Sequence, residues 1–126
     1  MNAGKRILIV DDDAFIRRPL EFILREEGYE PSSAGDALEG LRALEAGIPD
    51  LIVLDVMMPG KDGFTFCGEL KRDPRFASIP IVLLSARGLP RDRSYGLSLG
   101  ATDFLTKPYS PHELRKRVRE LLSGSE

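Results

Sequence analysis

Short apolar runs alternate along this chain with longer segments in which apolar residues recur at the spacing of an α-helix. The short runs predict strands at residues 7–10, 29–34, 51–55, 79–84 and 102–106. The longer segments predict helices, and in the second of them we expect Leu38, Leu41 and Leu44 to line the inner face. The fourth helical segment, residues 87–100, contains several glycines and serines and therefore predicts the weakest helix.

Polar residues and prolines at defined positions refine this pattern. Asp36, Asp62 and Ser110 each precede a helical segment and can cap its first turn. Pro19 lies inside the first helical segment, where a proline should bend the helix or disturb its first turns. Pro31 lies in the second strand and favours an edge position for it, because proline cannot donate to a neighbouring strand.

Alternation of strands with helices predicts an α/β fold with a doubly wound parallel sheet and helices on both of its faces. The chain of 126 residues has the length of one domain, and we expect residues 1–126 to form it. The strand order stays open at this point. The flavodoxin-like order 2-1-3-4-5 is one of two common choices, and it suits a five-stranded sheet.

Composition and charge exclude several classes of protein. The net charge of −2 provides no overall positive field, so we expect no direct binding to nucleic acid. The single cysteine, Cys67, excludes an internal disulfide and a multi-cysteine metal site and suits a reducing, cytoplasmic compartment. Apolar stretches are too short to cross a membrane, so we expect no membrane partner.

Chemically active side chains follow several of the predicted strands. Asp11 and Asp12 come after the first strand, and Asp55 ends the third. Ser85 follows the fourth strand and Lys107 the fifth. With the order 2-1-3-4-5, the carboxyl ends of these strands meet at one edge of the sheet, where open α/β sheets bind ligands.

This set of side chains suits phosphoryl transfer. Neighbouring strands lie about 4.8 Å apart, so the carboxylates of Asp11, Asp12 and Asp55 would crowd one pocket. Like charges that close need a counter-charge, and an all-oxygen site with few protein ligands suits Mg²⁺. A carboxylate nucleophile, a metal, a hydroxyl and an ammonium are what transfer of a phosphoryl group onto a carboxylate requires.

Each of these residues also has a purely structural interpretation. The aspartates at 11–13 could cap the first helix, and Asp55 could cap the turn that follows it. Lys107 could be a solvated surface residue, and Ser85 could be a turn hydroxyl. Their joint occurrence at the ends of four separate strands favours the chemical interpretation over coincidence.

Four motifs resemble one known family, the receiver domain of two-component response regulators. They are Val10-Asp11-Asp12, the stretch from Leu54 to Gly63, Leu84-Ser85-Ala86 and the stretch from Phe104 to Tyr109. The resemblance extends from about residue 5 to residue 122, which it implies to be the core of the domain. It also implies the flavodoxin-like order of strands.

The resemblance implies that Asp55 is the phosphoacceptor, receiving its phosphoryl group from a histidine kinase or a histidine phosphotransfer protein. It further implies that Asp11 and Asp12 hold Mg²⁺. Asp12, Asp55 and the backbone carbonyl of Met57 would be the direct ligands.

The same resemblance implies how phosphorylation would be reported. Ser85 would be the switch hydroxyl that hydrogen-bonds the phosphoryl group, and Lys107 would pair with the phosphoryl oxygens. The side-chain rotamer of Phe104 would change when the side chain of Ser85 moves. The face formed by helix 4, strand 5 and helix 5 would then change its conformation and report phosphorylation to a partner. Because residue 104 is phenylalanine and not tyrosine, that face lacks a hydroxyl. The Lys107-Pro108 bond is implied to be cis.

We therefore expect a signalling switch of a two-component phosphorelay and not a turnover enzyme. Its chemistry would be limited to Mg²⁺-dependent self-phosphorylation and autodephosphorylation. Its output would control a downstream effector protein or a fused effector domain, and phosphorylation-dependent dimerisation is one form of such control.

Two other classes of protein remain as alternatives. A pseudo-receiver would bind partners without phosphate, but the acceptor, metal and lysine positions are intact here. A phosphohydrolase of the haloacid dehalogenase type needs a second acid two residues after its nucleophile, where this chain has Met57.

The lifetime of the phosphoryl group should depend on two flanking residues. Met57 lies two positions after the acceptor, and Arg87 lies two positions after the switch hydroxyl. Methionine offers no strong donor or acceptor to orient water, and arginine offers donors only. We therefore expect both residues to shield the aspartyl phosphate and to prolong its life.

Overall fold

The computed structural model describes residues 4–123, and these residues form alternating strands and helices. The strands are β1 (Arg6–Val10), β2 (Glu30–Ala34), β3 (Leu51–Asp55), β4 (Ile81–Ser85) and β5 (Asp103–Thr106). The helices are α1 (Ala14–Glu26), α2 (Ala37–Ala46), α3 (Gly63–Arg72), α4 (Pro90–Ser98) and α5 (Pro111–Ser123). Residues 1–3 and 124–126 of the predicted domain lie outside the described residues.

All strand pairs are parallel, and the sheet has the order β2-β1-β3-β4-β5. The flavodoxin-like order is thereby confirmed, and so is the edge position of the strand that contains Pro31. Val10 pairs with Leu54, and Ser85 pairs with Thr106. This register brings the carboxyl ends of β1, β3, β4 and β5 to one edge of the sheet.

The sheet separates two hydrophobic clusters, which its strands supply alternately. Ile7 and Ile9 of β1 belong to the cluster that also contains residues of α1 and α5. Leu8 and Val10 belong to the cluster that contains residues of α2 and α3. Each fully buried aliphatic side chain stabilises the fold by about 1.5–3 kcal/mol. Both faces of β1, β3 and β4 are covered, as a doubly wound sheet requires.

The inner face of α2 differs from the predicted one. Ala37, Gly40 and Leu44 are buried, whereas Leu38 is 58% exposed, so the prediction for Leu38 was wrong. The reason is that α2 approaches the core through its smallest residue. A Cβ atom at Gly40 would lie only 3.2 Å from the ring of Phe66. This close contact rotates the helix and turns Leu38 towards solvent.

The predicted helix caps are confirmed. Side-chain oxygens of Asp36, Asp62 and Ser110 accept hydrogen bonds from the N–H groups of the third residue after each, at 2.8 to 2.9 Å. By contrast α4 begins after Leu89, which provides no side-chain hydrogen bond to the helix. The fourth helix therefore forms without the cap that supports its neighbours.

Several strand boundaries differ from the predicted ones by one or two residues: β1 begins at Arg6, β2 at Glu30 and β5 at Asp103, and β4 runs from Ile81 to Ser85. The first helix continues through Pro19 as one helix. Within residues 4–123, no helix has both the length and the apolar character needed to cross a membrane.

Candidate functional site

Asp11 and Asp55 are buried carboxylates at the carboxyl ends of β1 and β3. Asp11 follows β1 directly, and its N–H donates to the carbonyl of Ala34 at 3.1 Å. Asp55 is the last residue of β3, and the two aspartates are only 1% and 4% exposed. Burying a charged carboxylate is costly unless a hydrogen bond or an opposite charge compensates it.

Lys107 provides that compensation from the end of β5. Its Nζ donates to Oδ1 of Asp55 at 2.7 Å and lies 3.4 Å from Oδ2 of Asp11. The backbone N–H of Lys107 donates to the carbonyl of Ser85 at 2.7 Å, which ties the lysine to the end of β4. The Lys107-Pro108 peptide bond is cis, as predicted.

The pairing of Lys107 with Asp55 leaves a net negative charge in the pocket. Burial raises the pKa of the Asp55 carboxyl; the hydrogen bond from Lys107 opposes this rise, and the negative charges of Asp11 and Asp12 add to it. For Lys107, burial by itself lowers the pKa, but Asp55 and Asp11 together outweigh burial and raise it. One ammonium therefore faces three carboxylates, and a further cation would stabilise them.

The same carboxylates form a candidate metal site. Oxygen atoms of Asp11, Asp12 and Asp55 all lie within 4.8 Å of one another, and the carboxylate of Asp12 is exposed. They face a cavity of about 260 Å³ that Met57 also lines. A cluster of hard oxygen donors open to water on one side fits Mg²⁺, which binds to few protein oxygens and retains several waters.

Ser85 is the last residue of β4, at the same edge of the sheet as this pocket. The residue is buried, and its Oγ accepts a hydrogen bond from the N–H of Arg87 at 3.1 Å. At this strand end Ala86 lines the cavity. The hydroxyl oxygen therefore caps its own loop.

Comparison with known proteins agrees with this geometry. A family model described as the response regulator receiver domain matches residues 7–119. The chain belongs to this family. It is 48% identical to the probable transcriptional regulator ycf27 of Cyanophora paradoxa, over 97% of this chain and 50% of that protein. It is 43% identical to the phosphate regulon transcriptional regulatory protein PhoB of Escherichia coli, over 94% of this chain and 52% of that protein.

Solved structures show the same fold. The signal receiver domain of a signal transduction histidine kinase from Syntrophus aciditrophicus superimposes with a TM-score of 0.89 and 40% identity. The match covers 96% of this chain and 92% of that one. The chain spans about half the length of the curated relatives it matches.

The two residues predicted to flank the phosphoryl group occupy different places in this receiver domain. Met57 is 64% exposed at the mouth of the cavity. Arg87 points to α4, where its Nε lies 3.9 Å from Oδ2 of Asp92. The Asp92 oxygen is buried and accepts no hydrogen bond from the residues that the structure describes. The arginine therefore contacts the fourth helix and not the pocket.

Phe104 of the receiver domain lies in the core. It is buried, and a Cβ atom at Gly96 of α4 would lie 3.4 Å from its ring. The backbone carbonyl of Phe104 accepts a hydrogen bond at 2.9 Å from Arg93, which also belongs to α4. The aromatic ring and α4 are thus packed together, so movement of either one requires repacking of the other.

One of the aspartates at 11–13 caps the first helix, in agreement with the structural alternative for these residues. Oδ1 of Asp13 accepts from the N–H of Phe15 at 2.9 Å and caps α1. The N–H of Asp13 in turn donates to Oδ1 of Asp11 at 2.9 Å. The cap residue therefore orients the buried carboxylate, while Asp11 and Asp12 face the cavity.

Two contacts near the site were not predicted from the sequence. Arg17 of α1 donates from Nη1 to the backbone carbonyl of Asp11 at 2.6 Å. Gly63, the first residue of α3, packs against the backbone of Asp55. Gly63 ends the motif that begins at Leu54, but the motif does not show its contact with Asp55, and an arginine in a charged helix gives no comparable signal.

Proposed function

We propose that this chain is a phosphorylation switch in which Asp55 accepts a phosphoryl group. The observation that carries the proposal is the 2.7 Å contact of Lys107 Nζ with Asp55 Oδ1 inside a cluster of three carboxylates. An ammonium and a cation site beside one carboxylate stabilise the charge of an incoming phosphoryl group. They also explain why a carboxylate is retained in a buried position.

In the proposed transfer, one carboxylate oxygen of Asp55 attacks the phosphorus of a phosphohistidine. The P–O bond to Asp55 forms while the P–N bond to the donor imidazole breaks, and the imidazole leaves as the neutral ring after taking up a proton. Lys107 pairs with the phosphoryl oxygens. Asp11, Asp12, Asp55 and the carbonyl of Met57 would hold Mg²⁺, which supplies charge neutralisation at those oxygens when bound. Autodephosphorylation ends the signal.

The proposed phosphoryl donor is a histidine kinase or a histidine phosphotransfer protein in the cytoplasm. The proposed target of the signal is an effector protein or a fused effector domain. Among the relatives, PhoB is a transcriptional regulatory protein, which supports an effector of that general kind.

We further propose residues 1–126 as one receiver domain with a core of about 5–122.

The proposed reporting face consists of α4, β5 and α5. Asp103 of β5 joins these elements, since its carboxylate lies 3.6 Å from Arg93 of α4 and also pairs with Arg117 of α5. The rotation of Ser85 towards a phosphoryl group would withdraw a hydrogen bond from the loop that leads to α4. Phosphorylation would then favour a second arrangement of this face.

Incubation with acetyl phosphate tests the proposal. We expect Mg²⁺-dependent modification of Asp55 alone, mapped by mass spectrometry, and none when the metal is chelated. Asp55→Asn should abolish modification. Asp13→Asn is the matched control, since asparagine still caps α1 and the variant should react like wild type. Modification at another residue, or none with Mg²⁺ present, would show a different function, and the latter result would indicate a pseudo-receiver.

A further inference from the structure

Arg17 lies outside the carboxylate pocket but holds the backbone of one of its residues. Its Nη1 donates to the carbonyl oxygen of Asp11 at 2.6 Å, across six positions of sequence. A hydrogen bond from a charged guanidinium is shorter and about twice as strong as one between neutral groups. Arg17 is partly buried, whereas its neighbour Arg18 is exposed. The contact therefore belongs to Arg17 specifically.

The carbonyl that Arg17 binds belongs to the peptide unit joining Asp11 to Asp12. Because a peptide unit is planar, fixing its oxygen also fixes its N–H and the Cα of the next residue. On the other side, the N–H of Asp11 donates to Ala34 at 3.1 Å. The main chain at Asp11 is thus held at both of its polar groups.

Asp12 depends on this support more than Asp11 does. Oδ1 of Asp11 accepts from the N–H of Asp13 at 2.9 Å, and Oδ2 lies 3.4 Å from Lys107 Nζ. Within residues 4–123, no hydrogen bond holds the carboxylate of Asp12, which is exposed. Its direction towards the cavity is therefore set by its backbone.

We propose that Arg17 is a positioning residue for the cation site. It holds the Asp11–Asp12 peptide so that the Asp12 carboxylate points to the place shared with Asp11 and Asp55, and it does so without contacting the cation or the phosphoryl group. The proposal rests on the proposed Mg²⁺ site and adds a determinant of its affinity.

The sign of the effect separates positioning from simple electrostatics. Arg17 is positively charged, so removing its charge would by itself make the pocket more negative and strengthen cation binding. Loss of positioning has the opposite effect, because partners that orient metal ligands typically change metal affinity by about 10- to 100-fold. We expect Arg17→Gln to bind Mg²⁺ about tenfold more weakly, the lower end of that range.

Arg18→Gln is the matched control, because it removes the same charge from the adjacent, exposed position. It should bind Mg²⁺ as tightly as wild type or slightly more tightly. Affinities are measured by calorimetric titration of the unphosphorylated protein with MgCl₂. The amide resonance of Asp12 is compared without metal, and it should shift in Arg17→Gln but not in Arg18→Gln.

A conservative variant covers the case in which Arg17→Gln unfolds. Arg17→Lys keeps the charge but replaces the planar guanidinium with a shorter side chain that ends in one nitrogen, and it should bind Mg²⁺ more weakly than wild type. Wild-type affinity in Arg17→Lys and in every folded Arg17 variant, with an unshifted Asp12 amide, would overturn the proposal.

The proposed Mg²⁺ site and the proposed role of Arg17 can be tested separately. If Asp12→Ala and Asp55→Asn leave Mg²⁺ affinity unchanged, the pocket is not the metal site and both ideas are wrong. If those two variants weaken binding while Arg17→Gln matches Arg18→Gln, the site stands and only the role of Arg17 is wrong.

Discussion

A Cβ atom at position 63 would lie 2.2 Å from the backbone carbonyl oxygen of Asp55. Glycine is therefore the residue that lets α3 begin directly against the end of β3. The N–H of Gly63 donates to the carbonyl of Val56 at 2.9 Å, which keeps the helix start and the strand end together.

Gly63→Ala should destabilise the protein by about 2 kcal/mol or more, because the backbone at Asp55 must move to accommodate the methyl group. Asp55, the proposed phosphoacceptor, would be displaced and should react more slowly with acetyl phosphate. Gly68→Ala in the same helix is the control, since its Cβ would meet nothing closer than 3.4 Å. That variant should gain up to about 1 kcal/mol from helix propensity. Urea unfolding measures both, and equal effects would contradict this account.

The lifetime of the aspartyl phosphate gives a second prediction. A Met57→Asn, Arg87→Glu variant should lose its phosphoryl group about tenfold faster, since one hydrogen bond that orients the attacking water removes about 1.4 kcal/mol from the barrier. Spontaneous dephosphorylation of wild type and variant is followed after removal of the donor. Equal rates, or a slower variant, would show that these residues do not set the lifetime.

Single variants separate the two positions. Met57 lines the cavity, whereas Arg87 faces Asp92. We therefore expect Met57→Asn alone to produce most of the acceleration. Asp92→Asn, which removes the charge that holds Arg87 near α4, should slow dephosphorylation if the freed arginine then shields the phosphoryl group.

The reporting face gives a third prediction. Addition of beryllofluoride, a phosphoryl mimic, should change amide hydrogen exchange in α4, β5 and α5 as well as around Asp55. The Arg93 hydrogen bond to the carbonyl of Phe104, at 2.9 Å, is one of the contacts that would rearrange. Asp55→Asn should abolish the changes. Changes confined to the surroundings of Asp55 and Ser85 would place the reporting surface elsewhere.

Tyr29 provides a test that concerns stability and not signalling. Its hydroxyl is buried and makes no hydrogen bond with the residues that the structure describes. An unpartnered buried hydroxyl contributes nothing that offsets its desolvation, so Tyr29→Phe should be neutral or stabilising by up to about 1 kcal/mol at neutral pH. A clear loss of stability in urea unfolding would mean that the hydroxyl has a partner after all.

Tyr29 also predicts that the stability of the protein depends on pH in the alkaline range. Burial, and secondly the charge of Glu27, raise the pKa of Tyr29 above its usual value of 10.0, although Arg119 lowers it. The folded state therefore retains the proton at pH values where the unfolded chain loses it, and stability should fall as pH rises above about 10. The decrease in the free energy of unfolding with rising pH should be shallower in Tyr29→Phe. Parallel curves for the two proteins would refute the assignment.

Much of this protein follows from local sequence pattern. Alternating apolar runs and helical segments predicted the fold class, because the side-chain periods of strand and helix are intrinsic to the backbone. The placement of Asp11, Asp55, Ser85 and Lys107 near one another also followed, because parallel strands end at the same edge of a sheet. Asp36, Asp62 and Ser110 were recognisable as caps for a similar reason, since a cap acts within one turn.

Tertiary packing alone decided the remaining features. Leu38 is exposed because Gly40 lets α2 approach Phe66 closely. The hydroxyl of Ser85 is turned to its own loop, Asp13 caps α1 while its neighbours face the cavity, and Arg17 reaches the carbonyl of Asp11. Such contacts depend on the distance and rotation between packed elements, to which every side chain between them contributes, and no local period of the sequence encodes them.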